Sequence, residues 1–447
     1  MTKVITYGTF DLLHHGHRNL LKRAKALGDY LIVGVTSESY DRYRGKLNVQ
    51  QSLMERIENV RGLGLADEIV VEEYEGQKID DIVRLQVDIF AIGSDWTGRF
   101  DYLKEYCQVV YLERTKGISS TELRDRQHPL IRLGVVGSGR IANRFIPESK
   151  FVSGVTVEGV FNPHEDSARS FAQRHELGFW SSEYEEFLSR VNAVYIASPH
   201  ETHYEYAEHA LRAGKHVLCE KPMVFTASEA ERLFGLAREQ GVILMEAIKT
   251  AYCPGFQRLV SCAKSGKIGR IVSVDATFTK LLPSHARGMR NNGAGGSVTE
   301  LASYPLLAAF KLLGFEYEEI GFYSYFGQRD GVDLFTQIHL RYSGAIASGK
   351  VGLGVKSEGS LVISGTRGYI YVPAPWWKTE YFELRFEDPN EVEKNFYKFS
   401  GDGLRYEIME FLARIAGGRM DEGACELSVR LAGAIEKYRS GEVVRLD

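Results

Sequence analysis

Short apolar runs alternate with segments of helical spacing through the first part of the chain. Residues 4–7 form such a run, and residues 18–27 place Leu20, Leu21, Ala24 and Leu27 on one helical face. Further strands are predicted over 30–35, 68–71, 87–92 and 108–112. Strands separated by helices predict a parallel sheet covered on both faces. The polar stretch Arg124-Asp125-Arg126-Gln127-His128-Pro129 then reads as a linker. At Leu130 the β-α pattern restarts with a new glycine-bearing turn, LIRLGVVGSGRIANRF, which marks a second domain. From about Ile271 the pattern changes to longer alternating segments: VSVDATFTKL, GFYSYFGQ, DLFTQIHLRY, SLVISG and GYIYV. These predict an open antiparallel sheet of five or more strands, and helices over 405–415 and 425–438 close the chain. The fold class expected is α/β, with domains over 1–127, 130–248 and 249–447, the last of α+β type.

Composition narrows the picture without naming a chemistry. A chain of 447 residues with 44% hydrophobic and 26% charged residues can fill several ordinary cores. A net charge of −4, with basic residues scattered among acidic ones, argues against a nucleic-acid surface. No run approaches the roughly 18 apolar residues of a membrane span, and the first strand starts without a signal peptide, so a cytoplasmic protein without membrane insertion is expected. The five cysteines show no CxxC spacing, so neither a structural metal nor a disulfide framework is expected.

The first candidate chemistry is HHGH at positions 14–17. A strand, a glycine-bearing turn and a helix N-terminus form an anion site, with backbone N–H groups and the helix dipole aimed at it. No further ligand stands at zinc-like spacing, so His14 and His17 suit donation to a phosphate as charge builds on it. With GSDWTGRFD and RTKGISSTELR, the turn YGTFDLLHHGH resembles the glycerol-3-phosphate cytidylyltransferases of the HxGH nucleotidyltransferase superfamily, over residues 1–127. The resemblance implies a Rossmann-like nucleotidyltransferase domain. His14 and His17 would stabilise the α-phosphate of CTP. Thr9, Phe10, Lys46, Arg114, Gly117, Ile118, Ser119 and Thr121 would bind CTP, while Arg44, Lys78, Asp95 and Trp96 would hold the polyol phosphate. Mg²⁺ would accompany CTP, with Asp11 as a contact. The basic residue that the family carries just before Ala66 is missing, with Arg56 and Arg61 as possible substitutes.

The second candidate is a dinucleotide site. Gly137-x-Gly139-x-x-Ala142 follows a strand and opens a helix, as the fingerprint of a second Rossmann domain requires. The acid usually found after the next strand is replaced by Asn162, which removes a charge that would repel a 2′-phosphate; NADP or NAD is expected, with His164 and Arg169 nearby. Further on, AVYIASPHETHYEYAEHALRAGKHVLCEKP resembles the glucose–fructose oxidoreductase / inositol dehydrogenase family, over residues 130–447. The resemblance makes Lys221 of Glu220-Lys221-Pro222 the catalytic lysine. It sets GAGGSVTELASYPL against the family's GGG-x-x-x-D-x-G-x-H/Y, so Tyr304 takes the acid/base position and Glu300 replaces the aspartate. Ala302 replaces a glycine. Gly137, Gly139, Arg140, Ile141, Asn162, Ser198, Pro199, His203 and Glu220 would line the cofactor. Lys221 is expected to polarise a ketone and to lower the Tyr304 pKa. Lys249 is a candidate for an anionic substrate group.

The two resemblances together imply a bifunctional enzyme making a CDP-activated polyol. One half would reduce a keto precursor and the other would transfer a cytidylyl group to a polyol phosphate, with glycerol 3-phosphate leading to CDP-glycerol. Ribulose 5-phosphate leading to CDP-ribitol is the alternative, as is a cytidylyltransferase fused to a non-catalytic dinucleotide-binding module. The product would feed cell-surface phosphopolyol polymers such as teichoic acid or capsule. The partners expected are small molecules only, and both families suggest a homo-oligomer, a dimer or tetramer.

Overall fold

In a computed structural model the described residues are 1–43, 49, 51–74, 76–113, 130–290, 293–327 and 331–446. They fold as two compact units, Met1–Leu130 and Ile131–Asp447.

The first unit contains β1 (Lys3–Gly8), α1 (His15–Lys25), β2 (Tyr30–Thr36), α2 (Glu38–Tyr43), α3 (Leu53–Gly62), β3 (Glu68–Glu72), α4 (Gln77–Leu85), β4 (Ile89–Gly93) and β5 (Gln108–Leu112). The strands form a parallel sheet in the order β3-β2-β1-β4-β5. One face packs Val4, Leu21, Val33 and Val60, and the other packs Ile5, Ile32, Ile82 and Phe90. Burial on both faces explains why these strands read as continuous apolar runs rather than alternating ones. Gly34 lets Tyr7 cross the neighbouring strand: a Cβ there would lie 2.1 Å from the Tyr7 ring. Between β1 and β4 the strand order reverses, which opens a crevice at their carboxyl ends.

In the second unit β6 (Ile131–Val136), β7 (Val155–Phe161), β8 (Phe179–Ser181), β9 (Ala193–Ile196), β10 (His216–Glu220) and β11 (Leu244–Ala247) form another parallel sheet. Its order is β11-β10-β9-β6-β7-β8, with the reversal between β6 and β9. A nine-stranded sheet follows, built from β12 (Ile271–Thr279), β13 (Glu319–Phe326), β14 (Asp333–Tyr342), β15 (Ala345–Gly352), β16 (Leu361–Gly365), β17 (Tyr369–Val372), β18 (Tyr381–Arg385), β19 (Val392–Phe396) and β20 (Val443–Arg445). Most of its pairings are antiparallel, as the alternating pattern predicts. However, β12 pairs β15 in parallel and the terminal β20 pairs β13 in parallel, so the sheet is mixed.

The helix Ser303–Leu313 lies on β12 and β15, and burial of nearly all its residues accounts for its apolar character all round. The last long helix, Glu422–Arg439, returns to pack on Ala227–Gln240 beside the parallel sheet. Two ion pairs fix the helix Arg140–Ser149 to the segment entering Leu404–Gly417. Arg144 holds Asp402, and Arg405 holds Glu148 at 2.7 Å.

Candidate active sites

The chain leaves β1 at Gly8 and reaches α1 through a tight turn in which Phe10 and Leu12 both have positive φ, 52° and 46°. Two non-glycine residues in that region within one turn store backbone strain of the kind that clusters at ligand sites. Arg56 supplies the clamp behind the turn. Its guanidinium is completely buried and donates to the carbonyls of Thr9 at 2.8 Å and Thr36 at 2.7 Å, beside Asp41. Thr9 Oγ1 in turn donates to Asp41 at 2.8 Å. Arg56 is therefore spent on the backbone, and Arg61 is an exposed partner of Glu58; neither stands as the substitute cation considered from the sequence.

His14 caps α1. Its Nδ1 accepts the Gly16 N–H at 3.0 Å, which in the neutral ring leaves the proton on Nε2. The His17 ring stacks on it at a centroid separation of 3.9 Å, and the edge of Phe10 packs on His17 at 5.4 Å. Two imidazoles are thus held face to face at the positive end of a helix. Asp11 is buried and accepts the Gln51 N–H at 3.0 Å.

Across the crevice, Asp95 and Trp96 occupy a short 3-10 turn, Ser94–Trp96, directly after β4. Trp96 is exposed, with Arg99 over its ring. Lys78, on α4, is buried against Glu72 and lies over the ring of Tyr7 at 4.7 Å. Lys46, Arg44, Arg114, Gly117, Ile118, Ser119 and Thr121 lie outside the described residues.

The second site forms at the reversal between β6 and β9. Gly137 has φ +98°, and a Cβ on it would stand 2.8 Å from the Ala197 carbonyl. Gly139 caps the helix Arg140–Ser149, and no atom lies within 4 Å of where its Cβ would be. A packed first glycine, an open second one and a helix N-terminus carrying Arg140 and Ile141 fit a dinucleotide diphosphate. Asn162, just past β7, donates to Ser138 Oγ at 2.8 Å and accepts the His164 N–H at 2.9 Å, so no carboxylate stands at the ribose position.

After β9, Ser198 Oγ accepts from Thr202 at 2.8 Å, and Pro199 leads into the turn His200–Thr202. His203 is fully buried between the carbonyls of Pro222, 2.9 Å away, and Ser198, 3.1 Å away. Burial pulls its pKa down to about 4. It braces the loop that carries Lys221.

Glu220 ends β10 and accepts the Tyr195 hydroxyl at 2.6 Å. Burial raises its pKa, with Lys221 opposing. Lys221 Nζ donates to the Glu300 carbonyl at 2.9 Å and lies 5.8 Å from the centre of the Tyr304 ring. The structure therefore brings Lys221, Glu300 and Tyr304 together. The expected acidification of Tyr304 is not what the structure gives. Burial pushes the phenol pKa up, and the carboxylates Glu220 and Glu407 push it further, so Tyr304 is held protonated.

Three neighbours were not singled out from the sequence for this cleft. His200 is pulled down to about pKa 3, by burial and then by Lys221. Lys280, just past β12, sits 3.9 Å from the Glu300 carboxylate. Glu407 is completely buried, with neither oxygen hydrogen-bonded, and burial raises its pKa well above the ordinary carboxyl range. His200 follows Pro199 directly and was legible as a histidine; Lys280 and Glu407 had no motif to mark them. Lys249 donates to the Asp402 carbonyl at 2.6 Å. Among the described residues, no group of three or more His, Cys, Asp or Glu is arranged to hold a metal ion, and no helix is long and apolar enough to cross a membrane.

The cytidylyltransferase-like family matches residues 5–126. The oxidoreductase family with an NAD-binding Rossmann fold, GFO/IDH/MocA, matches residues 131–248, and its C-terminal domain matches 256–371. The glycerol-3-phosphate cytidylyltransferase of Bacillus spizizenii is 49% identical over 28% of this chain and 95% of that protein. The trans-1,2-dihydrobenzene-1,2-diol dehydrogenase of Sus scrofa is 30% identical over 69% of this chain and 96% of that protein. The chain belongs to both families, one in each unit. It is an enzyme fusion, a cytidylyltransferase joined to an NAD(P)-dependent oxidoreductase. Among solved structures, a 3-ketoreductase from Actinomadura kijaniata in complex with NADP and TDP-benzene superposes with a TM-score of 0.65 at 27% identity. That match covers 71% of this chain and 99% of the ketoreductase.

Proposed function

We propose that the fusion makes a CDP-activated polyol in two steps, with glycerol 3-phosphate as the acceptor and CDP-glycerol as the product. The observation that carries the first step is the stacked pair His14 and His17 at the N-terminus of α1, in a unit so similar to glycerol-3-phosphate cytidylyltransferases. A phosphate oxygen of the polyol phosphate attacks the α-phosphorus of CTP, the bond to the β-phosphate oxygen breaks, and pyrophosphate leaves. The attacking oxygen is ionised at neutral pH, so no general base is required. The Nε2–H of His14 and the ring of His17 stabilise the charge gathering on the α-phosphate. Thr9 and Phe10 border the nucleotide, and Lys78, Asp95 and Trp96 border the acceptor. Mg²⁺ accompanies the triphosphate.

In the second unit a ketone is reduced. NAD(P)H, when bound, supplies the hydride. Tyr304, kept protonated by its surroundings, gives its proton to the new alkoxide. Lys221 polarises the carbonyl, held in place by the Glu300 backbone oxygen. The Actinomadura ketoreductase was also crystallised with a lysine replaced by alanine and with a tyrosine replaced by phenylalanine, the residue types assigned here to Lys221 and Tyr304. With Asn162 instead of a carboxylate at the ribose, NADP(H) is the favoured cofactor. The product feeds a cell-surface phosphopolyol polymer.

One reaction mixture tests both steps. The full-length protein with CTP, NADPH, dihydroxyacetone phosphate and ribulose 5-phosphate is expected to yield CDP-glycerol by mass. CDP-ribitol from ribulose 5-phosphate alone would replace glycerol by ribitol. NADPH binding without turnover on either ketone would reduce the second unit to a binding module.

A further inference from the structure

Different groups hold the two segments that bring Lys221, Glu300 and Tyr304 together. On one side, His203 braces the Pro222 carbonyl and Glu246 accepts the Met223 N–H, which fixes the loop carrying Lys221. On the other side, the helix Ser297–Leu301 presents the Glu300 carbonyl to Lys221 and passes through Ala302 into the helix that carries Tyr304. So short a helix has little stability of its own, and its placement depends on what it is tied to.

The tie is Asp333, the first residue of β14, which is 2% exposed. Its Oδ2 accepts the Val298 N–H at 3.0 Å and the Thr336 hydroxyl at 2.7 Å. Its backbone carbonyl accepts the Ser297 hydroxyl at 2.8 Å, and Ser297 Oγ accepts the Leu353 N–H at 3.0 Å. The Tyr438 hydroxyl faces the carboxylate from the last long helix. Burial raises the Asp333 pKa to about 6, with Thr336, Val298 and Tyr438 opposing, so above that pH the group is an acceptor with no proton to give. Gly296 has φ +102°, and a Cβ on it would lie 2.2 Å from Asp333 Oδ1. A glycine there lets the backbone close on the carboxylate.

We propose that Asp333 is a positioning residue of the reductase, whose carboxylate sets the helix Ser297–Leu301 and through it the places of Lys221 and Tyr304 at the ketone. This rests on the reading of the second unit as a ketone reductase. Asp333 is too deeply buried to touch substrate; it acts through Val298, the Glu300 carbonyl and Lys221 in turn. Loss of the bond to Val298 frees the first turn of the helix, and a shift of about 1 Å at the reacting groups costs up to about 100-fold in rate. The dinucleotide diphosphate is held by other elements, the turn at Gly137 and the N-terminus of the helix Arg140–Ser149, so cofactor affinity does not follow.

The test is NADPH oxidation by the full-length protein with dihydroxyacetone phosphate and with ribulose 5-phosphate, with kcat and KM measured separately. Asp333→Ala should lower kcat by about 10- to 100-fold, with NADPH affinity in a fluorescence titration and CTP-dependent pyrophosphate release unchanged. Asp333→Asn keeps an acceptor oxygen for Val298 and Thr336 and should restore most of kcat. Gly296→Ala drives a Cβ against the same carboxylate without removing it, and should reproduce the loss even where the alanine variant at 333 does not fold. Thermal melts show which variants fold. Wild-type kcat in folded Asp333→Ala or Gly296→Ala enzyme would overturn the proposal while leaving the reductase reading intact. So would an asparagine variant as slow as the alanine one, or a loss of NADPH affinity as large as the loss of kcat. No oxidation with either ketone by the wild type would remove the reductase reading and the proposal together.

Discussion

Single buried charges set much of the behaviour expected of the second unit. Glu246, at the end of β11, is held at about pKa 7 by burial, although its Oε1 accepts the Met223 N–H at 2.9 Å. In the unfolded chain its pKa is the ordinary 4.5, so between that value and about 7 the folded state keeps a proton that the unfolded state has released. Its favourable contribution is full below pH 4.5 and is lost as pH rises through 7. Glu246→Gln keeps the acceptor for Met223 and cannot ionise. It is expected to stabilise the protein by up to about 3 kcal/mol at pH 8, with the gain vanishing near pH 4.5, as denaturant unfolding at the two pH values would show. A stability difference of the same size at both pH values would count against this account. Lys280 gives a second pH effect. Burial lowers its pKa to about 8, Glu300 raising it and Lys221 and Arg140 lowering it further. Between pH 8 and the ordinary 10.5 the folded state has released a proton that the unfolded state keeps, so the unfolding free energy should rise with pH across that window. Lys280→Arg should flatten that rise; a profile equally steep in the arginine variant would place the titration elsewhere.

At the level of elements, both sites use the same device, a helix N-terminus at the point where a parallel sheet reverses its strand order. They differ in what holds the turn. In the first unit the buried Arg56 binds two backbone carbonyls and keeps the strained residues around Phe10 in place. In the second, the close approach of Gly137 to Ala197 does that work, and the pairs Arg144–Asp402 and Arg405–Glu148 seat the helix. Gly137→Ala adds a Cβ 2.8 Å from the Ala197 carbonyl in a conformation with φ +98°. Backbone must shift there, so NADPH affinity should fall by about 10-fold or more while CTP-dependent pyrophosphate release is unchanged. Fluorescence titration of NADPH measures the first, and a phosphate-release assay the second. Wild-type NADPH affinity in this variant would mean that the turn does not carry the diphosphate.

For the whole molecule, two compact units each match a different enzyme family. Separate chemistry should make the two activities separable by point mutation in the intact chain. His14→Ala should cut cytidylyl transfer by about 100-fold or more and leave NADPH oxidation unchanged. Lys221→Ala should do the reverse. Loss of both activities in either variant, with the fold retained, would show that the units depend on one another for catalysis.

Local patterns in the sequence determined the strand-helix alternation, the second start at Leu130, the HxGH turn and the EKP loop. Each of these depends on residues close together in the chain: apolar periodicity, glycines at a tight turn, a histidine beside a helix start. Tertiary structure decided what distant residues do to one another. Parallel pairing of β12 with β15 joins segments far apart in sequence, and no local period encodes it. The role of Arg56 as an internal clamp and the protonated state of Tyr304 arise from burial among groups from other elements. The same holds for Lys280, which looks like an ordinary lysine after a strand until Glu300, brought in by another helix, gives it a partner. Charge in a cleft sums over all the elements that wall it, which is why spacing along the chain could locate the EKP loop but not the protonation states of the groups around it.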